Sequence, residues 1–311
     1  MTQGIEAVDF RRWSSDPAGF AHGLGASFER YGFAVVAHHG LRQPLIDRCL
    51  DDFKTFFAWP VGEKMRYHVP GSGGARGYTP FGVEAAKGAA MHDLKEFWHV
   101  GRELPPGHRY RRYMPDNLWI DGIEGFRETT LALWEAFDAM GRELLSAIAL
   151  HLGLAPRWFD DKVAEGNSVL RVIHYPPVGD GGGAIRAGAH EDINAITLLL
   201  GAEEAGLQVL DRDGRWLDIN PAPGTLVCNI GDMLQRLTNH VLPSTTHRVV
   251  NPPRERADRP RYSMPFFLHF NPDFEIRSLP ACIGPGRPDR YPDSITADEF
   301  LRQRLREIRL L

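Results

Sequence analysis

His190-Glu191-Asp192 opens an apolar run at 193–200, Ile-Asn-Ala-Ile-Thr-Leu-Leu-Leu. The run reads as a buried strand, continuous from 188 to 200. On a strand, residues i and i+2 face one side, so His190 and Asp192 point together while Glu191 points away. A second strand-like segment, Ser-Thr-Thr-His-Arg-Val-Val at 244–250, supplies His247. Two imidazoles and one carboxylate on one face of an ion form the facial triad of non-haem Fe(II) sites, which leaves positions open for reactants. His190, Asp192 and His247 are therefore the candidate metal ligands. In a chain with 13 histidines, a His-x-Asp pair alone is more often a core or surface feature.

The deciding companion is Arg261-Tyr262-Ser263, which opens the strand-like run 261–270. Arg261 and Ser263 share a face by the same period of two. A guanidinium beside a hydroxyl suits a carboxylate, because Arg donates two parallel hydrogen bonds. The structural alternative is an ion pair with a nearby Asp or Glu, since a buried Arg without an anion is costly.

The order His-x-Asp, His, Arg-x-Ser on successive strands resembles the isopenicillin N synthase-like family of Fe(II)/2-oxoglutarate dioxygenases. Further segments match that family in order: Phe28-Glu29-Arg30-Tyr31-Gly32-Phe33 with His39-Gly40, then Phe56-Phe57 with Glu63-Lys64, then Gly77-Tyr78. Asp93-Leu94-Lys95-Glu96, Leu170-Arg171 with Tyr175-Pro176, Gly231-Asp232 and His247-Arg248-Val249 continue the series. The resemblance spans nearly the whole chain. It implies a mainly β, α+β fold, with a double-stranded β-helix (jelly roll) flanked by N-terminal helices and a long scaffold helix. It implies Fe(II) as cofactor, with 2-oxoglutarate and O2 as cosubstrates. Oxidative decarboxylation of 2-oxoglutarate to succinate and carbon dioxide would be coupled to hydroxylation or other C–H oxidation of a small molecule. Arg261, Ser263 and Tyr175 would hold the distal carboxylate of 2-oxoglutarate. Many plant relatives carry Asn-x-Tyr where this chain has Ile173 and Tyr175, so the Tyr role carries over and the Asn role does not. Two other readings fit the same residues: an oxidase that does not consume 2-oxoglutarate, like isopenicillin N synthase or the ethylene-forming enzyme of plants, and a non-catalytic iron or 2-oxoglutarate sensor.

Strand period extends the inward face to a candidate substrate wall. Tyr175 places Arg171 on its side, and Arg261 with Ser263 places Phe267 and His269 there if no bulge intervenes. Phe97 and His99 share a face of another strand candidate, 97–100. In relatives acting on aromatic substrates, positions resembling these line the pocket. A small carboxylate-bearing or phenolic molecule is expected, with Arg171 meeting its anion; the alternative is that Arg171 pairs with a core carboxylate.

A hydrophobic fraction of 43%, a charged fraction of 24% and 311 residues describe an ordinary globular protein with a large core. A net charge of -4 gives no reason to expect nucleic acid. No apolar run approaches the roughly 20 residues that span a bilayer, and the first residues carry no secretory pattern. Cys49, Cys228 and Cys282 are scattered and odd in number, which points to a reducing, cytoplasmic setting without disulfides. No feature specifies an oligomeric state.

In chain order, helices are expected at 17–30, 44–59 and 123–152, with a closing helix at 296–308 capped by Thr296 and Glu299. The Gly-rich 70–77 lacks a Gly-Lys-Ser/Thr ending and reads as a loop near the site entrance, not a phosphate cradle. From 167 to 271, short β-rich segments alternate with turns, including a tight hairpin turn at 211–214. The expected division is an N-terminal region over 1–160, the catalytic core over 161–280, and a C-terminal segment over 281–311, forming one catalytic unit.

Overall fold

A computed structural model describes residues 4–83, 93–177, 186–200, 206–220, 222–252, 255 and 257–307. Thirteen strands build two facing sheets. They are β1 (Ala7–Asp9), β2 (Phe33–Ala37), β3 (Gly77–Thr79), β4 (Glu96–Gly101), β5 (Val169–Tyr175), β6 (Ala187–His190), β7 (Ile196–Leu200), β8 (Leu207–Leu210), β9 (Trp216–Asp218), β10 (Leu226–Ile230), β11 (His247–Val249), β12 (Arg261–Ser263) and β13 (Pro265–Leu268). The larger sheet has nine strands in the order β1-β2-β10-β7-β13-β5-β4-β3, with β12 also on β5. The smaller sheet runs β6-β11-β8-β9. The β8–β9 hairpin turns at Asp211, whose Oδ1 accepts the backbone N–H groups of Asp213 and Arg215.

The outer face of the large sheet carries the helices. Helix Pro17–Tyr31 starts at Asp16, whose side chain accepts from Gly19 N, and ends at Gly32 in the left-handed region. Its stripe of Phe20, Leu24 and Phe28 is buried. Helix Gln43–Phe57 packs Phe56 edge-on against Trp98 of β4, with ring centroids 5.0 Å apart. The long helix Phe126–His151 lies across β13: Phe137 stacks on Phe266 at 5.4 Å and Trp134 meets the same ring at 5.4 Å. Gly141 permits this approach, since a Cβ there would lie 2.4 Å from Leu268 Cδ1. Each buried ring contributes about 1.5–3 kcal/mol relative to exposure, so this face fixes the sheet. The closing helix Ala297–Glu307 has the expected capping box: Thr296 N donates to Glu299 Oε2 at 3.0 Å, and Glu299 N to Thr296 Oγ1 at 3.3 Å. Residue 308 lies outside the described residues. No described helix is long and apolar enough to cross a membrane.

Two expected strands are each divided. The run 188–200 is not one strand: β6 belongs to the small sheet and β7 to the large one. Residues 191–195 form the corner between them, tied by Ala195 N to Leu268 O at 2.9 Å and Asp232 N to Asp192 O at 2.7 Å. Gly231 is needed there, because a Cβ would sit 2.1 Å from Asn194 O. A short helix, Asp232–Leu237, follows and was not expected. The run 261–270 likewise divides at Met264: β12 pairs with β5, while β13 pairs with both β5 and β7. The register nevertheless continues without a bulge, from Arg261 opposite Tyr175 to Phe267 opposite Val169.

Candidate metal centre and ligand pocket

Between the sheets lies the inner face of the large one. His190 and His247 face each other across β6 and β11, with ring centroids 4.4 Å apart. Each Nδ1 meets a backbone carbonyl, Gly188 O at 2.7 Å and Thr245 O at 3.1 Å. Those bonds put the proton on Nδ1 and turn the basic Nε2 inward. Asp192 joins them from the corner, not from a strand face. Its Oδ2 accepts from Thr197 Oγ1 at 2.6 Å and Asn229 Nδ2 at 2.8 Å, both on the large sheet. Its Oδ1 stands 3.9 Å from His190 Nε2 and 3.8 Å from His247 Nε2. These separations are too long for hydrogen bonds. Three ligand atoms thus converge, all within 4.8 Å of one another, while the remaining polar atoms are tied to the protein. Burial, then the charge of His247, lowers His190 to about 4, so its ring is neutral at physiological pH. Burial pushes Asp192 up, but His247, His190, Asn229 and Thr197 outweigh it and hold the carboxyl below its ordinary value. A divalent cation is bound by imidazole nitrogens and a carboxylate oxygen, so this donor set fits iron. Glu191 turns away and accepts from Thr246 Oγ1.

On the same face, register sets Arg261 opposite Tyr175 and Ser263 opposite Ile173. Both β12 residues are buried, and the Arg261 guanidinium lies 5.2 Å from the Tyr175 ring centre. Ile173 packs with Phe97, Tyr175, Ala187 and Val249 in an apolar cluster. It therefore lines this pocket with methyl groups, where an Asn would bring a polar contact.

A family model for the 2OG-Fe(II) oxygenase superfamily matches residues 166–270, and one for the N-terminal region of the non-haem dioxygenases of morphine synthesis matches residues 5–122. A 2-oxoglutarate-Fe(II) type oxidoreductase of Emericella nidulans is 34% identical over 287 residues, 89% of this chain and 81% of its own. This chain belongs to the 2OG-Fe(II) oxygenase superfamily. A crystal structure of a 2OG-Fe(II) oxygenase family protein from Caulobacter crescentus superposes with a TM-score of 0.92 at 59% identity, covering 98% of this chain and 99% of the other. A full-length Neurospora crassa protein, solved with alpha-KG and thymine, gives 0.86 at 30% identity over 97% and 96% of the two chains. The jelly-roll expectation and the enzyme class hold. The protein is an Fe(II)- and 2-oxoglutarate-dependent dioxygenase, which couples oxidative decarboxylation of 2-oxoglutarate to oxidation of a small molecule with O2.

The oxygenase's inner face continues through residues expected at a substrate wall. Across β4 and β5, Phe97 pairs with Ile173 and His99 with Arg171. Arg171 Nε donates to His99 Nε2 at 2.5 Å, and His99 Nδ1 meets Gly74 O at 2.6 Å. Because a guanidinium only donates, His99 accepts at Nε2 and carries its proton at Nδ1. The Arg171 guanidinium centre lies 4.3 Å from the Phe97 ring and 5.3 Å from that of Phe267. His269 is buried, which lowers it to about 4. Sequence reasoning missed Thr197 and Asn229, the residues that fix Asp192. The available signal was an Asn inside the apolar run Leu-Val-Cys-Asn-Ile at 226–230. It also missed Arg76.

Proposed function

We propose that His190, Asp192 and His247 hold the Fe(II), and that Arg261, Ser263 and Tyr175 hold the distal carboxylate of 2-oxoglutarate. The observation that carries this reading is the convergence of Oδ1 and two Nε2 atoms, with every other polar atom of the three side chains tied to the protein. When bound, iron supplies the activation of O2 that oxidises the substrate C–H bond. The chain's own residues bind and orient. Asn229 and Thr197 fix the carboxylate, Gly188 and Thr245 fix the imidazoles, and the apolar cluster around Ile173 excludes water from the cosubstrate's carbon chain. Phe97, His99, Arg171, Phe267 and His269 line the substrate space. A small carboxylate-bearing or phenolic molecule suits this cationic, aromatic wall, and the thymine held by the Neurospora relative is of similar size. The strands before residue 160 share the large sheet with those after it, which supports one catalytic unit made from 1–160, 161–280 and 281–311. Three buried free cysteines support a reducing, cytoplasmic setting.

The test separates metal from cosubstrate. His247→Ala should abolish Mn(II) binding in calorimetry and succinate formation, while the melting temperature of the metal-free protein stays within a few degrees. Arg261→Ala should keep Mn(II) binding and raise the Michaelis constant for 2-oxoglutarate by tens of fold, as loss of a charge-assisted contact costs about 2–5 kcal/mol. Normal metal binding by the first variant, or an unchanged constant in the second, would remove that residue from its role.

A further inference from the structure

Two arginines on the inner wall are held differently. Arg171 is engaged by His99 at Nε and by two rings on its faces. Arg76, just before β3, is buried at 4% exposure. Its guanidinium covers Gly101, the residue of β4 that shares inner parity with Phe97 and His99. A Cβ at Gly101 would lie 2.0 Å from Arg76 Cζ, so the glycine is what makes room for the cation. Arg76 donates from Nη1 to the neighbouring carbonyl of Ala75 at 2.7 Å and from Nη2 to Asn167 Oδ1 at 3.1 Å. Its Nε has no hydrogen-bond partner, and no carboxylate pairs with the guanidinium among the described residues. Burial alone lowers it, to about 10, so it is charged at physiological pH. The contact with Gly101, which has the strand parity of Phe97 and His99, sets this cation on the inner side of the sheet.

A neutral side chain could tie the Ala75 and Asn167 oxygens without burying a charge. A buried guanidinium lacking its anion is the costly arrangement, and it is tolerated where a ligand supplies the anion. We propose that Arg76, positioned by Gly101 and Asn167, is the anchor for a carboxylate of the primary substrate. The substrate is then a small acid whose acid end lies at Arg76, with its body along Phe97, Arg171 and Phe267 and its reacting carbon toward the metal. This rests on the inner face being the catalytic pocket, and it moves the anion contact from Arg171 to Arg76.

Thermal unfolding of the full chain, saturated with Mn(II) and 2-oxoglutarate so that the Arg261 clamp is filled, tests it with benzoate and benzamide as probes. Benzoate at millimolar concentration should raise the melting temperature of the unmutated protein by a few degrees, and benzamide should not. Arg76→Met should unfold no earlier than the unmutated protein without probe, and should lose the benzoate shift. Arg76→Lys should keep part of it. A benzoate shift absent from the unmutated protein, equal in Arg76→Met, or matched by benzamide would overturn the proposal. So would an Arg76→Met protein that melts several degrees lower, which marks a structural arginine. Stabilisation by Mn(II) and 2-oxoglutarate themselves reports separately on the metal and cosubstrate assignment.

Discussion

The two sides of the large sheet handle buried charge in different ways. On the outer face, Glu96 is 1% exposed and fully engaged: Lys64 Nζ lies 2.7 and 3.0 Å from its oxygens, Tyr78 OH 2.5 Å and His174 Nδ1 2.7 Å. Burial pushes this carboxyl up, but the bonds from His174, Lys64 and Tyr78 hold it below its ordinary value. On the inner face, Asp192 presents one oxygen to two imidazoles beyond bonding distance, and Arg76 has an Nε without a partner. Behind the sheet, the Glu96 cluster is completed by the protein. In front, Arg76 Nε is left without a hydrogen-bond partner. The contrast supports the proposed division between residues that hold the fold and residues that hold reactants.

The largest effect should come from breaking the completed side. Glu96→Gln or Lys64→Met leaves one partner of a buried pair uncompensated and should cost about 3–5 kcal/mol in urea unfolding. A loss under about 1 kcal/mol would erase the contrast. Next comes the group that completes half of Asp192. Asn229→Leu should weaken Mn(II) binding by about 10–100-fold in calorimetry, the usual cost of losing an outer partner of a metal ligand, with a small change in melting temperature.

A pH effect should be of similar or smaller size. His269 is lowered to about 4 from 6.5, so the folded protein takes up its proton later than the unfolded chain. Stability from this residue is therefore undiminished above about pH 6.5 and falls as pH drops toward 4, by up to about 3 kcal/mol. His269→Gln should flatten that part of the urea stability profile. An unchanged profile would mean that the ring is not shielded. The smallest effect belongs to Ile173→Asn, which should improve 2-oxoglutarate affinity by several-fold at most, since one added neutral hydrogen bond contributes about 1 kcal/mol.

Most of the fold was legible. Helix Pro17–Tyr31 carries its own start and stop signals in Asp16 and Gly32, and β5 falls within the expected β-rich stretch from 167 to 271. The candidate metal triad was legible for a partly mistaken reason. A period of two paired His190 with Asp192, yet the strand ends at His190 and the corner delivers Asp192. Alternation within a run states which face a residue takes and is silent on which sheet the strand joins. For that reason the breaks after His190 and at Met264 were not legible. Arg76 was hidden for a different reason. Its environment is made by Gly101 and Asn167, distant in sequence and brought to it by the pairing of β3 with β4 and by a side-chain hydrogen bond.

The corner at 191–195 would give a metal held at this candidate site a mechanical role. His190 and His247 belong to the small sheet, whereas Asp192 is gripped by Thr197 and Asn229 of the large one. An ion bound by all three is a rivet through both walls of the sandwich. Removing it should loosen β6 and β11 while leaving β10, braced between β2 and β7, as protected as before, so hydrogen exchange should register metal loss as the unpinning of one wall.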